Sequence, residues 1–356
     1  MENFKTMVLD FSSAVDYIPT PVEKVNKNYV MYGEENDFPN YVLKCVDECS
    51  FLSTLIGTAC DYVTGDGMTC EEMNVDTEIN DKDQTLYEVV RRTVYDYITF
   101  GAFALQVLRN PYGDIKKLVP LKVENIRTNE DETEYYYSSK WGKYSSKSIT
   151  YEKFDPTNKN QKNSILYVKA VNSRNIYGKA LWFSALRDAT ILMAINEFNE
   201  ASLANGFAAS TVISLCEGKP TPEEMKKVED QFRQKFSGSK NASKFILTFS
   251  DSKEGVPQFN KIGFESFVDQ YKELQLTSRD NLFAAFRMNP ILTGIKTTDG
   301  VFSEDQFKEA FALYNKTVIQ PLQKDIKKVF KKCGLTIDFI PFTVDWPQKD
   351  NTNISE

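Results

Sequence analysis

The sequence contains no histidine in 356 residues. Histidine is the commonest general base and a frequent metal ligand near neutral pH, so its absence excludes Ser-His-Asp and Cys-His catalysis and most catalytic zinc sites. The sequence also lacks a GxxxxGK segment followed by Ser or Thr, the loop that cradles nucleotide phosphates. Acidic residues are spread along predicted helices and loops, and no pattern brings two of them into one pocket. We therefore predict a protein that is not an enzyme, with no catalytic residue, metal site or cofactor.

Paired cysteines are absent as well. The six cysteines form no CxxC pair, and a chain of this size does not need disulfides to stabilise a core. Two of them, one helical turn apart, could share a metal ion, but no histidine is available to complete a mixed site. We interpret these two, Cys45 and Cys49, as small buried hydrophobic side chains, and all six as reduced cytosolic thiols: Cys45, Cys49, Cys60, Cys70, Cys216 and Cys333.

Long hydrophobic runs are missing too. No apolar run approaches the roughly 18 residues needed to cross a bilayer, and no charged-then-apolar leader precedes Asp10. We expect neither secretion nor insertion into a membrane. The composition is 41% hydrophobic and 13% aromatic, which is enough for the cores of two or three packed units.

The chain has no excess of basic residues. It contains 43 basic and 50 acidic residues, and its formal net charge is -7. Proteins that bind DNA tightly neutralise phosphates with clustered Lys and Arg, which this balance does not indicate. The densest basic run, KKVFKK at Lys327 to Lys332, is interpreted as a helix C-terminus, where cations offset the helix dipole.

The chain up to about residue 175 has the pattern of one α+β unit. Apolar residues recur at helical spacing from Leu86 to Phe100 and predict a helix. Alternating patterns at Ala102 to Arg109 and Ile115 to Leu121, joined by an NPYGD turn, predict a hairpin. Further strands are predicted at EYYYSS and SILYVKAV.

The segment YGEENDFPNY, from Tyr32 to Tyr41, predicts a turn followed by the start of a helix. Gly33 allows the turn, and Asn36 or Asp37 can cap the helix. Pro39 fits the first helical turn, where no amide donor is needed.

Two long predicted helices enclose a small insert. They run from about Lys179 to Ala204 and from about Phe264 to Arg287. The insert has a βαβ-like pattern, with strands at Ser210 to Leu215 and Lys244 to Phe249 and a capping box at Thr221 between them. This order predicts an antiparallel stalk that carries a small α/β head. The first helix is expected to pack from two directions, through Leu181, Leu192 and Leu203 on one side and Ile191, Ile195 and Phe198 on another.

A loop and a third long helix follow. Pro290 is predicted to stop the second helix, and glycines at 294 and 300 bracket a flexible loop. A capping box at Ser303 to Gln306 then starts a helix that ends at Gly334, and Pro321 predicts a kink in it near Gln320. TIDFIPFTVDW is predicted to be a final strand.

Five segments, taken in order, resemble the portal proteins of tailed bacteriophages, the head-tail connectors through which DNA is packaged. YGEENDFPNY resembles the Y-G-x-x-N-x-x-P segment near the start of many portal proteins. NIYGKALWFSAL and FNEASLANGF resemble the entry to and exit from the first stem helix. FRMNPILTG resembles the approach to the tunnel loop, and SEDQFKEAFALYNKTVIQPL resembles the tunnel-side helix.

The resemblance implies a portal fold with an α/β wing, a two-helix stem, a small α/β clip and a long kinked tunnel-side helix. YGEENDFPNY would then have a packing role in the wing, with no chemistry required of Glu34, Glu35 or Asp37. The chain stops soon after its last strand, so little or no crown is expected. The implied domains are 1–178 (wing), 179–206 (first stem helix), 207–262 (clip), 263–289 (second stem helix), 290–302 (tunnel loop), 303–334 (kinked helix) and 335–356 (terminal strand and tail).

The function implied by the resemblance is a ring, in the family a dodecamer, that forms a channel at one capsid vertex for DNA packaging and ejection. The implied partners are other copies of the chain, the terminase large subunit, a head-completion or adaptor protein, the major capsid protein and double-stranded DNA passing non-specifically, with no membrane. The ring would assemble in the host cytoplasm and be located in the virion. The net charge of -7 suits a channel wall that must not hold phosphates tightly.

Two sets of site residues are expected. The clip would dock terminase and later connector proteins through Lys226, Lys227 and Arg233, on the charged face of an amphipathic helix. The tunnel loop would project towards the axis and touch DNA, and the alternative is a solvent loop that only joins two helices. Its glycines give backbone freedom, its threonines are small and polar, and its lysine can make one transient phosphate contact: Gly294, Lys296, Thr297, Thr298 and Gly300.

Two other functions stay open from the residues alone. The first is a cytosolic nucleic-acid-processing or nucleotide-binding enzyme with a helical-stalk insertion, which the missing histidines, phosphate loop and basic stripe disfavour. The second is a scaffold or interaction protein. Of the three, only a portal requires a closed cyclic oligomer with an axial hole.

Overall fold

The computed structural model describes residues 19–26, 28–141, 147–171, 174–204, 211–215, 245–249, 264–295 and 303–344. Two compact units make up the chain: Met1–Thr190 with Arg279–Glu356, and Ile191–Ser278. The helices described are α1 (Phe38–Glu48), α2 (Ser50–Thr64), α3 (Leu86–Phe100), α4 (Leu186–Ala204), α5 (Phe264–Phe286), α6 (Glu304–Tyr314) and α7 (Gln320–Lys332). The strands described are β1 (Glu23–Asn26), β2 (Tyr29–Tyr32), β3 (Gly67–Cys70), β4 (Ala102–Arg109), β5 (Ile115–Leu121), β6 (Ile126–Thr128), β7 (Glu134–Tyr137), β8 (Ile149–Lys153), β9 (Asn163–Lys169), β10 (Thr211–Leu215), β11 (Phe245–Phe249) and β12 (Ile337–Ile340). This mixture of helices and strands confirms the predicted α+β class.

A six-stranded mixed sheet lies in the first unit, in the order β5-β4-β9-β8-β7-β6. The predicted hairpin is confirmed, because β4 pairs antiparallel with β5 and places Leu105 opposite Pro120. The other side of β4 pairs antiparallel with β9, whereas β8 runs parallel to β9. The alternation of side chains along these strands buries one cluster, formed by Ala104, Ile126, Tyr135 and Ile165.

Helix α3 begins and ends at the predicted residues. A capping box that the sequence analysis missed starts it, since Thr85 Oγ1 accepts from the Glu88 backbone N–H and the Glu88 carboxylate accepts from the Thr85 backbone N–H. Gly101 ends the helix with φ of 67°. A Cβ at Gly101 would lie 2.2 Å from the carbonyl carbon of Lys179, so the close approach of the two chain segments requires glycine.

Cys45 of α1 and Cys49, which joins α1 to α2, are buried in the first unit as predicted, and Cys60 of α2 is buried as well. Cys45, Cys49 and Cys60 are at most 3% exposed, and they are free thiols. Burial raises the pKa of Cys45 and of Cys60 to about 11, so both stay protonated near neutral pH. Cys216 lies outside the described residues.

The YGEENDFPNY segment is anchored by a buried network around Arg127, which is 0% exposed. Asn36 has a left-handed φ of 60°, and its side-chain oxygen accepts from the Tyr32 backbone N–H at 2.9 Å and from Arg127 Nε at 2.5 Å. The terminal nitrogens of Arg127 donate to the carbonyls of Asn36, Glu124 and Ile126. The segment therefore packs against β6, which is the structural role expected of it.

The cap of α1 differs in detail from the prediction. Asp37 occupies the N-cap position, but its side chain makes no hydrogen bond to the helix backbone. Its Oδ1 accepts instead from the side chain of Asn40 at 2.6 Å. Asn36 cannot cap the helix because the Arg127 network uses its side-chain oxygen.

The last strand returns to the start of the first unit. β12 pairs antiparallel with β3, a partner that the sequence analysis did not identify. Gly65 ends α2 beside this pair with φ of 60°, and a Cβ there would lie 1.9 Å from the carbonyl oxygen of Ile340. Glycine at this position thus allows α2 to meet β12 backbone to backbone.

The long helix near the C-terminus is interrupted beside Pro321, as predicted. The interruption is a π-helical turn, Asn315–Ile319, which joins α6 to α7. Proline has no amide donor, and the wider turn that precedes it adjusts the local hydrogen bonding. The predicted capping box at Ser303 is wrong, because Ser303 occupies the N-cap position of α6 without a side-chain hydrogen bond to the helix backbone.

The second unit contains parts of two long helices and a strand pair. β10 and β11 run parallel, as in a βαβ unit, and both strands were predicted. The helix predicted between them from Thr221 lies outside the described residues. The first long helix begins later than predicted, because Leu181–Ala185 forms a 3₁₀ turn and α4 starts at Leu186. Leu181 is 41% exposed and does not belong to the buried stripe predicted for it.

No helix in the described ranges is both long enough and apolar enough to cross a bilayer.

Candidate functional site

The approach to the predicted tunnel loop begins where α5 ends. Arg287 takes a left-handed φ of 54°, and its N–H donates to the Ala284 carbonyl at 3.0 Å. The Met288 N–H donates to the Phe283 carbonyl at 3.0 Å, which completes a Schellman ending. The helix therefore stops at Phe286 through the backbone of Arg287. The expectation that Pro290 stops it is wrong, because the helix has already ended before that residue.

Pro290 instead starts a short 3₁₀ turn, Pro290–Thr293. Asn289 caps this turn, since its side-chain oxygen accepts from the Ile291 N–H at 3.0 Å. The hydroxyl of Thr293 donates to the Pro290 carbonyl at 2.7 Å. Gly294 follows with φ of 72°. A Cβ at Gly294 would meet nothing within 4 Å, so its backbone conformation, and not a lack of space, favours glycine there.

The 3₁₀ turn is fixed to α2 by one hydrogen bond between residues far apart in sequence. The hydroxyl of Tyr62 donates to the Leu292 carbonyl at 2.6 Å, and both residues are buried. Burial raises the pKa of Tyr62 to about 12, so the hydroxyl remains protonated and able to donate at neutral pH.

Aromatic rings surround Tyr62. Phe342 lies with its ring centroid 4.8 Å from that of Tyr62, and Phe311 and Tyr314 of α6 lie at 5.3 Å and 6.2 Å. All three contacts are edge-on, a geometry favoured by the aromatic quadrupoles. Phe307 extends the group by stacking on Phe311 at 6.1 Å. We name these five residues the Tyr62 cluster: Tyr62, Phe307, Phe311, Tyr314 and Phe342.

The Tyr62 cluster joins both described ends of the loop. The turn Pro290–Thr293 contacts α2 and also α6, the helix that begins just after the loop. Among the predicted loop residues, Gly294 lies at this base, whereas Lys296, Thr297, Thr298 and Gly300 lie outside the described residues. The predicted clip residues Lys226, Lys227 and Arg233 also lie outside them.

Sequence reasoning missed Tyr62 and Phe342 as parts of this site. The helical stripe of Phe307, Phe311 and Tyr314 was visible in the sequence as an apolar register. Nothing in the local sequence around Tyr62 distinguishes it from other buried residues of α2, because its role depends on a carbonyl 230 positions away.

One buried acid of the first unit, Asp96, is part of an ion pair. Asp96 on α3 is 2% exposed and lies 3.1 Å from Nη2 of Arg92. Burial raises the pKa of Asp96 to about 7. The positive charge of Arg92 lowers this pKa, and the negative charge of Glu124 raises it further. Within the described ranges, no cluster of three His, Cys, Asp or Glu side chains could bind a metal ion.

Comparison with known proteins identifies the family. A model of the phage portal protein family matches residues 75–351, which is most of the chain. The chain belongs to the phage portal protein family. A curated relative, the probable portal protein of Haemophilus phage HP1, is 22% identical over 249 residues, which cover 68% of each chain. The resemblance seen in the sequence is thus confirmed, and the chain functions as a portal protein.

Solved structures share the fold of this portal protein. A chain in the neck of a native gene transfer agent (GTA) particle, computed with C12 symmetry, is 14% identical with a TM-score of 0.54 and covers 84% of this chain and 83% of its own. An HK97 family phage portal protein from Corynebacterium diphtheriae is 11% identical with a TM-score of 0.50 and covers 84% and 94%. At such low identities these likenesses concern the fold.

Proposed function

We propose that this portal protein forms a closed ring of twelve subunits at one capsid vertex, with an axial channel through which double-stranded DNA enters and leaves. Family membership supports the portal role, and the number of subunits is suggested by the C12 symmetry of the particle neck that contains a structural relative. The ring assembles in the host cytoplasm and remains in the virion, where it contacts the major capsid protein. Its role is structural. Because the chain has no phosphate loop, we assign ATP hydrolysis to a separate terminase.

The domain assignment also belongs to this proposal. The first unit would contain the wing and the tunnel-side helix formed by α6, the π turn and α7. The second unit would contain the clip, and the parallel pair β10-β11 supports an α/β clip. Helices α4 and α5 each extend from one unit into the other, as stem helices would.

The proposal rests chiefly on the hydrogen bonds that fix the chain just before the tunnel loop. The Schellman ending of α5, the Asn289 cap and the Tyr62 hydrogen bond fix the chain up to Gly294. A loop that only joins two helices does not need such a base, whereas a loop that touches moving DNA must transmit force to the scaffold. We propose that the loop projects into the channel, where Lys296 makes a weak phosphate contact that salt screens easily.

Two loop variants test this role in a phage assay. Lys296→Glu and deletion of Thr297 to Gly300 should leave ring assembly intact, as measured by native mass spectrometry, yet reduce DNA packaging or retention. The matched control is Lys116→Glu, an exposed lysine on the edge strand β5. If virions of both loop variants hold full-length DNA as well as wild type, the loop is only a connector.

The clip is proposed to dock terminase and, later, the head-completion protein. Charge reversal at Lys226, Lys227 or Arg233 should weaken terminase capture in a pull-down while rings stay intact. The same assay with Lys116→Glu controls for net charge. Unchanged capture by all three clip variants would contradict the assignment, and a wild-type protein that stays monomeric at every concentration would contradict the ring.

A further inference from the structure

Helix α7 carries the densest positive charge in its part of the fold. Its sequence QPLQKDIKKVFKK contains five lysines and one aspartate, in a chain whose net charge is -7. The aspartate, Asp325, accepts a hydrogen bond from the Tyr97 hydroxyl at 3.2 Å, and Lys327 forms an ion pair with Asp338. The other four lysines are exposed, and within the described residues none of them forms an ion pair: Lys324, Lys328, Lys331 and Lys332.

These four lysines lie on one face of the helix. At 3.6 residues per turn they fall within roughly 100° of arc, and the buried residues Ile326, Val329 and Phe330 lie on the opposite side. From Lys324 to Lys332 the face extends about 12 Å, which equals the axial length of three to four phosphates on one strand of B-DNA. We name Lys324, Lys328, Lys331 and Lys332 the lysine face of α7.

The helix dipole explains only part of this face. Lys331 and Lys332 lie in the last turn, where cations offset the negative end of the helix. Lys324 and Lys328 lie earlier, beyond the reach of that effect, and as like charges one turn apart they disfavour the helix. The interpretation of KKVFKK as a capped terminus therefore leaves Lys324 and Lys328 unexplained.

The composition of the face indicates the kind of partner. Protein interfaces are anchored by apolar and aromatic residues and are depleted in lysine at their centre. No large hydrophobic side chain is exposed between Gln320 and Lys332. A surface of lysines without an apolar anchor fits a phosphate backbone, which is bound through charge alone.

We infer that the lysine face of α7 is a non-specific binding surface for the phosphate backbone of double-stranded DNA, separate from the tunnel loop. The inference builds on the proposed portal function, since α7 continues the helix that begins at the loop. At about 1.5 Å per residue, Lys328 lies roughly 30–40 Å along that helix from Glu304. A second site of DNA binding at this distance would guide DNA in a channel whose overall charge repels it.

The test uses the full-length protein and a 30-bp duplex, with binding measured by fluorescence anisotropy at several salt concentrations. The variant Lys324→Gln/Lys328→Gln changes only lysines outside the last helical turn. The slope of log K against log salt should become shallower by about 0.9 for each phosphate that the variant no longer neutralises, thus by roughly 1–2. Lys324→Arg/Lys328→Arg, which keeps both charges, should retain the wild-type slope.

The control Lys116→Gln/Lys153→Gln removes the same charge from exposed lysines of β5 and β8. Equal slopes for the α7 variant and this control would overturn the inference. The inference would also be overturned if the α7 variant kept the wild-type salt dependence of DNA binding but failed to enter capsids, because that result would assign the lysine face to a protein partner. Ring formation by the wild type is measured separately, so that rings with an unchanged slope refute only this inference, whereas absence of rings refutes the proposed function.

Discussion

Tyr62→Phe is the sharpest perturbation of the loop base that the structure offers. It removes one hydroxyl and keeps the ring, so the aromatic contacts with Phe311, Tyr314 and Phe342 remain. The interaction that it removes is the 2.6 Å hydrogen bond to the Leu292 carbonyl. Because Leu292 is 3% exposed, water cannot readily replace the donor.

The magnitude follows from the carbonyl that is left without a donor. A buried carbonyl without a hydrogen-bond donor costs about 1–3 kcal/mol. We expect this cost to lower the free energy of local opening of the 3₁₀ turn Pro290–Thr293. Since about 1.4 kcal/mol is a factor of ten, opening should become roughly 5–150-fold more frequent. Hydrogen exchange with mass spectrometry measures it at the amides of Leu292 and Gly294, which donate to the Asn289 and Ile291 carbonyls.

Tyr314→Phe is the matched control. Tyr314 belongs to the same cluster and is 2% exposed, but among the described residues its hydroxyl makes no hydrogen bond. Its removal should change exchange in the turn less than about twofold. If Tyr62→Phe also leaves exchange within that range, the hydrogen bond does not hold the loop base and the reasoning fails.

Two further predictions concern buried charge in the first unit. Arg127→Lys should lower the free energy of unfolding, measured in urea, by roughly 2–5 kcal/mol, because at least two buried acceptors lose their donor at about 1–3 kcal/mol each. The exposed control Arg174→Lys should change the free energy of unfolding by less than about 0.5 kcal/mol. An equal effect of the two substitutions would contradict the role of the network. For Asp96, whose pKa is raised from 3.8 to about 7, the folded state holds a proton that the unfolded state has lost, so stability falls as pH rises from about 4 to 7. Asp96→Asn should remove that fall and raise stability at pH 8 by roughly 2–4 kcal/mol, and a variant that is less stable at pH 8 would refute the assignment.

Periodic segments of the sequence were sufficient to locate much of the secondary structure. The bounds of α3, β4 and β5 follow from the spacing of apolar residues, because one face of each element is buried. The capping predictions were less successful. Asp37 and Ser303 are residue types that favour the N-cap, and both occupy the N-cap position, yet neither side chain forms a hydrogen bond to the helix backbone. Capping also depends on the side-chain rotamer, which contacts with neighbouring residues determine.

By itself, the sequence determined the α+β class, the order of the elements, the interruption beside Pro321 and the membership of the portal family. Each of these depends on local chemistry or on motif order, which a linear chain displays directly. Only the tertiary structure decided that β12 pairs with β3, that Asn36 accepts a hydrogen bond from Arg127 and that Tyr62 donates one to Leu292. Asn36 and Arg127 are 91 positions apart, Tyr62 and Leu292 are 230 positions apart, and the two strands lie further apart still. Packing brings these partners together through many weak contacts that no local pattern encodes.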